Sequence, residues 1–383
     1  MPDLALRVLD SIADVPASAW DALFAHEPDR ATPFVRHAWL RALEESGAAA
    51  PRTSWTPRHL TLWRAGRLVA AAAAWAKEGS DGDFSRDWHW ADAAARAGIP
   101  YYPKLVLGVP FTPATSRRVL VAAGEERAPL VARVVREALD LCAGERLRSL
   151  HALFPWEDEA RELEAAGLAL RLDFQYHWRN AGYRTFDDFL ARFPSKRRNA
   201  IRRERAAPPR QGISIRTVRG EELRHGSSTW ARQVAALHGA TVDRMTFGRR
   251  WVDRGFYERV LSAMPEALEV VEARRQGKLI AMAFNVASSE RLYGRYWGCS
   301  EDHPFLHFNV CLYHSIDECI RQGIRVFEGG AGGDHKLARG FDPAETWSAH
   351  AFLDPRLDVP IRRALEEEMT ERRRALERWR DGH

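Results

Sequence analysis

The chain has 383 residues, of which 45% are hydrophobic and 28% charged, and its formal net charge is +5. These values are typical of a soluble globular protein, and the length exceeds one ordinary domain, so we expect two. The longest apolar run, Leu68 to Ala76, is too short to cross a bilayer, and the N-terminus lacks an apolar signal core. We therefore expect a cytoplasmic protein without a membrane span.

The first half of the chain alternates between strand and helix patterns. Two apolar strands joined around Ala65 and Gly66 form a hairpin pattern. The other elements predicted in this half are a strand over 5–9, helices over 17–24 and 34–46, a short helix ending at Gly98, a strand over 101–109, a helix over 129–143 and a strand over 147–154.

The second half repeats this order. Residues 268–286 match the first hairpin at a constant offset of 211 residues, which aligns Gly66 with Gly277. An aromatic strand over 292–297, a proline-containing loop, an apolar-periodic helix over 307–321 and a buried strand over 324–327 follow. The sequence therefore predicts two copies of one α/β unit.

A glycine-rich loop follows the last of these strands. It contains Glu328, four glycines, Asp334, His335, Lys336 and Arg339. Acyl transfer to an amine requires removal of a proton and stabilisation of an oxyanion. Lys336 or the glycine amides suit the oxyanion, and Asp334, Glu328 or His335 could accept the proton. The alternative is a loop that merely connects two elements.

The net charge is concentrated in one predicted helix, residues 195–206. Residues 196–205 hold six cations and one acid, so the rest of the chain sums to zero. A cationic helix suits the backbone of tRNA or the phosphates of CoA, and the alternative is a solvated surface helix. The candidate tRNA-binding residues are Lys196, Arg197, Arg198, Arg202, Arg203 and Arg205.

Metal binding and cysteine chemistry are the competing hypotheses. The candidate metal ligands are His303, His307, Glu328, Asp334 and His335. They lack the HExxH spacing of a metal-binding helix, so we expect no metal. The four cysteines lack CxxC spacing and are expected to be reduced core residues. Cys299 as a nucleophile, with His303 as its base, is a weaker alternative.

Several segments resemble known proteins: SKRRNAIRRERAAPPRQGISIR, the helix from His307 to Gly323, and FEGGAGGDHKLARGF. Together with the repeated order of elements, they are similar to the FemAB group of acyltransferases, which duplicates the GNAT fold. PYYPKL, PFTP, LHF and WSAHAF look most like the branch labelled peptidoglycan biosynthesis or recognition. This chain departs from that branch at two places. It has Asn309 where the branch is expected to have glutamate, and it has Asp334 where a GEHK-type loop is expected.

The resemblance implies an α/β fold with tandem GNAT-like units and mixed sheets flanked by helices. The expected domains are 1–172, 173–359 with the basic helix, and a C-terminal helix over 360–383. A catalytic lysine in the corresponding segment of the group points to Lys336. We expect substrate to contact residues of both units, namely Trp88, Tyr102, Lys104, Arg295, Tyr296, Trp297, His307, Asn309 and Arg339.

The donor is inferred from the loop SEDHPFLHF, which precedes the predicted helix at His307. CoA-dependent GNAT enzymes bind pyrophosphate on a glycine-rich loop at this place, whereas here there are two acids and no glycine. Aminoacyl-tRNA is therefore the leading donor and acyl-CoA the alternative, with no bound cofactor. A non-catalytic protein that binds a cell-wall or tRNA ligand stays open, as do the amine acceptor and the oligomeric state.

Overall fold

The computed structural model describes residues 4–246, 248–330 and 332–381. The strands are β1 (Leu4–Leu9), β2 (Thr56–Pro57), β3 (His59–Arg64), β4 (Arg67–Ala72), β5 (Ala74–Lys77), β6 (Lys104–Leu107), β7 (Leu120–Val121), β8 (Ser149–Leu153), β9 (Ala169–Arg179), β10 (Ile213–Arg219), β11 (Leu268–Arg275), β12 (Lys278–Ala287), β13 (Arg291–Cys299), β14 (Val326–Glu328) and β15 (Asp342–Phe352).

The helices alternate with these strands. They are α1 (Ala17–Ala22), α2 (His37–Glu45), α3 (Trp88–Arg96), α4 (Arg127–Gly144), α5 (Glu157–Ala165), α6 (Phe186–Ala191), α7 (Ser195–Arg205), α8 (Ala207–Arg210), α9 (Gly220–His225), α10 (Ser227–Val242), α11 (Arg254–Ala263), α12 (Leu306–Phe308), α13 (His314–Gln322) and α14 (Pro355–Asp381). A π-helical segment, Asn309–Tyr313, joins α12 to α13. None of the described helices is long and apolar enough to cross a membrane.

The chain divides into two units. The first contains the residues up to Phe174 and those from Glu345 onward, and the second is Gln175–Ala344. In the first unit, β1, β3, β4 and β7 form an antiparallel sheet. Strands β2, β5, β6, β8 and β15 are paired in that order, and β6 and β8 are parallel. Helices α4 and α5 cover a core built from these strands.

The second unit contains one mixed sheet with the order β10, β11, β12, β13, β14 and β9. Only β13 and β14 are parallel among these pairs. The segment from α12 to α13 connects them and packs with α6 and α7 in an aromatic core that includes Trp178, Phe189 and Phe327. Gly323 ends α13 with a φ of 69°, because a residue in the left-handed conformation caps the last turn.

The repeat predicted from the hairpins is present in the backbone. Both hairpins turn through two residues with positive φ, Ala65–Gly66 and Gln276–Gly277. Each also contains a register shift, between Leu62 and Trp63 in β3 and at the equivalent place in β11. These shifts have the offset of 211 residues seen in the sequence. A parallel pair joined by a helix then follows in each unit, so the predicted α/β fold class is confirmed.

The end of the chain differs from the predicted domain division. Residues from Glu345 onward belong to the first unit instead of closing the second domain at 359. Two contacts explain the difference. Strand β15 pairs with β8, and α14 buries Leu357, Ile361 and Leu365 against Trp90 and Tyr101. The predicted first boundary, at residue 172, lies close to the observed one.

Candidate functional site

The glycine loop of the second unit begins where a parallel strand pair separates. Strands β13 and β14 are paired from Arg291–Val326 to Tyr293–Glu328. Strand β14 then ends, while β13 continues to Cys299 along β12. A bulge places Arg295 as an extra residue between the pairs Phe284–Tyr296 and Asn285–Gly294. Bulges of this kind redirect side chains next to active sites.

The glycines bring the loop close to β13. Gly330 has a φ of 81°, and a Cβ atom there would be 3.3 Å from the carbonyl oxygen of Gly294. A Cβ atom on Gly329 would be 3.0 Å from the Phe341 ring and 3.4 Å from Cε of Lys336. Larger residues at these two positions would push the loop away from β13 and displace the lysine.

Lys336 is held inside this loop, on a short 3₁₀ helix formed by residues 334–339. Its side chain is 5% exposed, and Nζ donates a hydrogen bond of 2.7 Å to the carbonyl oxygen of Gly330. Burial lowers the pKa of the amine to about 8, although the nearby Cys311 thiol acts in the opposite direction. Lys336 is therefore a buried cation that can lose its proton near neutral pH.

Glu328 ends β14 beside the loop and is almost fully buried. Arg291 Nη1 donates a hydrogen bond of 2.8 Å to Glu328 Oε1, and His177 Nε2 lies 3.9 Å from Oε2. Burial, followed by the charges of nearby arginines and Lys336, lowers the pKa of His177 to about 3. His177 is thus a neutral imidazole. Sequence reasoning missed it because only the pairing of β9 with β14 places it opposite Glu328.

Aromatic and imidazole rings border the loop on the side of α12. The ring centroids of Trp297 and His307 are 5.1 Å apart, and His335 lies 6.3 Å from His307 and 5.6 Å from Phe308. Desolvation by the surrounding protein and the charges of the neighbouring cations lower the pKa of the His307 imidazole. The predicted residues Trp297, His307, His335 and Lys336 are therefore brought together. The Asp334 side chain lies outside the described residues.

Arg339, at the end of the 3₁₀ helix, is fixed by the basic helix α7. Its guanidinium lies 3.4 Å from the Phe308 ring centroid and donates a hydrogen bond of 2.9 Å to Glu204 Oε2. The Tyr313 hydroxyl donates to the same carboxylate oxygen at 2.5 Å. Asn309 Nδ2 donates to the Glu204 carbonyl oxygen at 2.9 Å. Two predicted substrate contacts, Arg339 and Asn309, are thus engaged inside the protein.

The comparisons with known proteins agree with this fold. A family described as peptidoglycan biosynthesis/recognition, FemAB-like, matches residues 11–382. The chain belongs to the FemAB-like family. FemX is 11% identical in sequence, covers 91% of this chain and 98% of its own, and has a TM-score of 0.54.

A second solved structure has similar coverage. It is the C-terminal domain of an Agrobacterium fabrum protein described as a lysylphosphatidylglycerol synthetase. It is 12% identical, covers 89% of this chain and 92% of its own, and has a TM-score of 0.53. At such identities the similarity concerns the fold alone. A search of curated proteins finds no significant match.

Most cations of α7 in this FemAB-like chain are engaged with the protein. Arg202 pairs with Asp187 at 3.1 Å, and Arg205 pairs with Asp317 at 2.9 Å. Arg197 Nε donates to the Ala338 carbonyl oxygen at 2.5 Å, and Arg198 donates to Ser195 and Phe193. Lys196 and Arg203 are exposed, and neither forms an ion pair within the described part of the chain. Helix α7 therefore supports the glycine loop as well as carrying charge.

Three predicted substrate contacts belong to the first unit of the FemAB-like fold. Trp88 is 54% exposed on α3, and the Tyr102 hydroxyl bonds to Ser80 at 2.8 Å. Lys104 is fully buried, with Nζ at 2.9 Å from Asp83 and 2.6 Å from Asp87. Lys104 is thus enclosed in an ion-pair network.

The described residues contain no group of three His, Cys, Asp or Glu side chains that could hold a metal ion. His303 instead bonds to Gln211 and Glu301, and the Cys299 thiol lies 2.9 Å from an Arg244 nitrogen. His303 lies in the polar loop after β13, and Cys299 is the last residue of that strand.

Proposed function

We propose that this chain is an amide-forming N-acyltransferase, which moves an acyl or aminoacyl group from an activated donor to an amine. The observation that carries the proposal is the buried ammonium of Lys336 on the glycine loop, where β13 and β14 separate. Membership of a family described as peptidoglycan biosynthesis/recognition supports the same class of chemistry.

Lys336 stabilises the tetrahedral intermediate. Attack of the acceptor nitrogen on the donor carbonyl forms the C–N bond and places negative charge on the carbonyl oxygen. An ammonium group has three donor hydrogens, and one of them is used by Gly330. The others are available for the oxyanion, and burial strengthens that interaction because water does not screen it.

His335 is the proposed general base. Its side chain is exposed beside His307 and Phe308, so it can reach a bound amine. It takes the proton of the attacking amine and returns it to the leaving oxygen or sulfur when the C–O or C–S bond breaks. Glu328 is buried, and it accepts a hydrogen bond from Arg291 that orients the guanidinium of that arginine. Asp334 is the alternative base.

Aminoacyl-tRNA is the proposed donor, and acyl-CoA is the alternative. Ser300–Phe305 carries Glu301 and Asp302 and no glycine, so this region offers a poor cradle for pyrophosphate. The exposed Lys196 and Arg203 can contact the phosphates of a nucleic acid. An aminoacyl-tRNA donor implies a cytoplasmic protein.

A donor-exchange assay tests the proposal. The protein is incubated with amine-bearing peptides and amino sugars, and with either tRNA charged with labelled amino acids or labelled acetyl-CoA. We expect alkali-stable amide label from charged tRNA, less with His335→Ala, and wild-type amounts with Lys278→Ala. Lys278 is a matched control because it is exposed and pairs with Glu301. Amide label from neither donor contradicts the proposal, and a retained ligand without transfer indicates a recognition protein.

A further inference from the structure

Glu204 is the single acid among residues 196–205, and the structure buries it, with 5% of its surface exposed. Oε2 accepts a hydrogen bond of 2.5 Å from the Tyr313 hydroxyl and one of 2.9 Å from Arg339 Nη2. Oε1 lies 3.8 Å from Arg197 Nη1. Burial, followed by the bond to Glu204, raises the pKa of Tyr313, so the hydroxyl keeps its proton and remains a donor. The Glu204 carboxylate therefore joins α7 to the π-helical segment and to the 3₁₀ helix of the glycine loop.

The 3₁₀ helix that carries Lys336 is weakly fixed at its ends. It has six residues, which is long for this type of helix, and it lies between two glycines with positive φ. Gly333 has a φ of 96° and Gly340 a φ of 82°. A glycine has no side chain to cap a helix, and it restricts the direction of the backbone less than other residues do. The position of this helix therefore depends on side chains that bind it.

Two arginines bind the backbone of the 3₁₀ helix and meet at Glu204. Arg339 Nη1 donates a hydrogen bond of 3.0 Å to the His335 carbonyl oxygen, while Nη2 of the same guanidinium donates to Glu204. Arg197 Nε donates to the Ala338 carbonyl oxygen at 2.5 Å, and its Nη1 faces Glu204. One carboxylate thus orients two guanidinium groups, and each of them holds a carbonyl oxygen of the 3₁₀ helix. Loss of that carboxylate would release both contacts together.

The proposed catalytic residues Lys336 and His335 belong to this helix. The Lys336 amide donates to the Gly333 carbonyl oxygen at 3.0 Å, and the Lys336 carbonyl oxygen accepts from the Phe341 amide at 3.2 Å. The backbone of the lysine therefore moves with the helix, and its ammonium moves with the backbone. A displacement of a catalytic group by about 1 Å can slow a reaction about a hundredfold.

We propose that Glu204 is a positioning residue, whose carboxylate fixes the 3₁₀ helix and thereby sets the Lys336 ammonium and the His335 ring against the reacting atoms. The inference rests on the proposed function, because it concerns how the same site is held in place. Glu204 acts through Arg339 and Arg197. Helix α7, which carries cations for the donor, is then also the support of the catalytic lysine.

Titration of the lysine side chains tests this inference without any transfer reaction. The chain has five lysines, so the signals of isotope-labelled lysine can be assigned by substitution. In the wild type, Lys336 should titrate near pH 8. In Glu204→Gln, water reaches the amine of the released helix, and the midpoint should rise by about one pH unit or more. An unmoved Lys336 midpoint in Glu204→Gln overturns the inference.

Glu318→Gln is the matched control for this titration. Glu318 is also a buried glutamate on a helix, where it pairs with Arg219 at 2.7 Å, so its loss should destabilise the second unit in a similar way. The Lys336 midpoint should stay at the wild-type value in Glu318→Gln. An equal rise in both variants would mean that general destabilisation moves the lysine, and it would overturn the specific role of Glu204.

A second variant covers a Glu204→Gln chain that does not fold. Glu204→Gln combined with Arg339→Gln removes both charges of the buried pair, which avoids the cost of leaving one of them unpaired. Hydrogen exchange of the Lys336 and Phe341 amides, which are bonded within the loop, should be about tenfold faster than in the wild type. Equal exchange rates in the double variant and the wild type contradict the inference.

The transfer reaction separates this inference from the proposed function. Glu204→Gln should lower kcat about tenfold or more, because the lysine is displaced in the transition state. The KM for the donor should stay within about threefold of the wild type, since the exposed Lys196 and Arg203 are unchanged. An unchanged kcat overturns the positioning role. Absence of transfer in the wild type overturns only the proposed function, because the titration of Lys336 does not depend on it.

Discussion

Each unit of the chain buries a lysine next to its parallel strand pair, and the two lysines have opposite surroundings. Lys104, at the start of β6, has its ammonium between Asp83 and Asp87. Burial favours the neutral amine, yet these carboxylates raise the pKa of Lys104. Lys336 binds only the Gly330 carbonyl oxygen among the described groups, and burial lowers its pKa to about 8. Under the proposed function, the buried lysine of the first unit contributes stability and that of the second unit contributes chemistry.

The contrast predicts a large loss of stability when Lys104 is removed. In Lys104→Met, the carboxylates of Asp83 and Asp87 stay buried without their cation. Breaking a buried ion pair in this way costs about 3 to 5 kcal/mol. Urea denaturation measures the change, with the exposed Lys278→Met expected within about 0.5 kcal/mol of wild type. A loss of less than about 1 kcal/mol for Lys104→Met would show that the ion-pair network does not stabilise the fold.

Lys336→Met should show the reverse pattern, with lost activity and undiminished stability. Removing one donor to a developing oxyanion raises the barrier by about 3 to 4 kcal/mol, which slows transfer about a hundredfold to a thousandfold. No carboxylate is left unpaired, because the described partner of Nζ is a carbonyl oxygen. The single-turnover transfer rate and the urea midpoint of the same sample give both quantities. Turnover within about threefold of wild type would remove Lys336 from the mechanism.

The sequence predicted the fold better than the partners within it. The hairpin match at 211 residues and the periodic helix after His307 are local patterns, and both are present in the structure. Trp297, His307 and His335 are not adjacent in the chain. They could still be placed together, because the order of strand, helix and strand determines which of their elements are neighbours.

Partners that depend on long-range pairing were not predictable. His177 lies far along the chain from Glu328 and meets it only through the pairing of β9 with β14. Glu204 was hidden among the cations of α7, although a lone acid in such a helix indicates a specific ion pair. Lys104 was expected to contact substrate, but the acids that enclose it come from the loop before α3. The sequence shows charge and periodicity, whereas these contacts depend on which distant segments pack together in the fold.

The pH dependence of stability sharpens the comparison of the two lysines. The Lys336 amine has a pKa of about 8 in the folded chain and 10.5 ordinarily. Burial of the ammonium therefore lowers the free energy of unfolding, and this penalty has its full size below pH 8. Between pH 8 and 10.5 the unfolded chain binds more protons, and the penalty is relieved as pH rises. The free energy of unfolding of Lys336→Met should therefore exceed that of the wild type by about 2 to 3 kcal/mol at about pH 7. This difference should disappear by about pH 10.5.

Lys104 has the opposite sign and provides the control. Its raised pKa means that its stabilising contribution is fully present below pH 10.5 and declines only as the pH rises further. Denaturant midpoints of wild type, Lys336→Met and Lys104→Met from about pH 7 to about pH 10.5 make the comparison. Parallel curves for wild type and Lys336→Met would show that the lysine has an ordinary pKa in the fold.

Helix α7 contains the same contrast between engaged and unengaged cations, with a smaller expected effect. Arg202 and Arg205 pair with Asp187 and Asp317, whereas Lys196 and Arg203 are exposed without an ion pair among the described residues. If the helix contacts a tRNA backbone, each lost phosphate contact lowers the log–log salt slope of binding by about 0.7 to 0.9. Lys196→Ala with Arg203→Ala should therefore reduce the slope by about 1.4 to 1.8.

The double variant Arg202→Ala with Arg205→Ala is the matched control, since it removes the same formal charge from the same helix. Its arginines must first leave their carboxylates to reach a phosphate, so we expect a smaller change in slope. Filter binding of tRNA across a salt series, with acetyl-CoA titrated in parallel, measures both variants. Equal slopes for the two variants would mean that local pairing does not decide which cations meet the nucleic acid. Saturable acetyl-CoA binding without salt-dependent tRNA binding would reverse the order of the two donors.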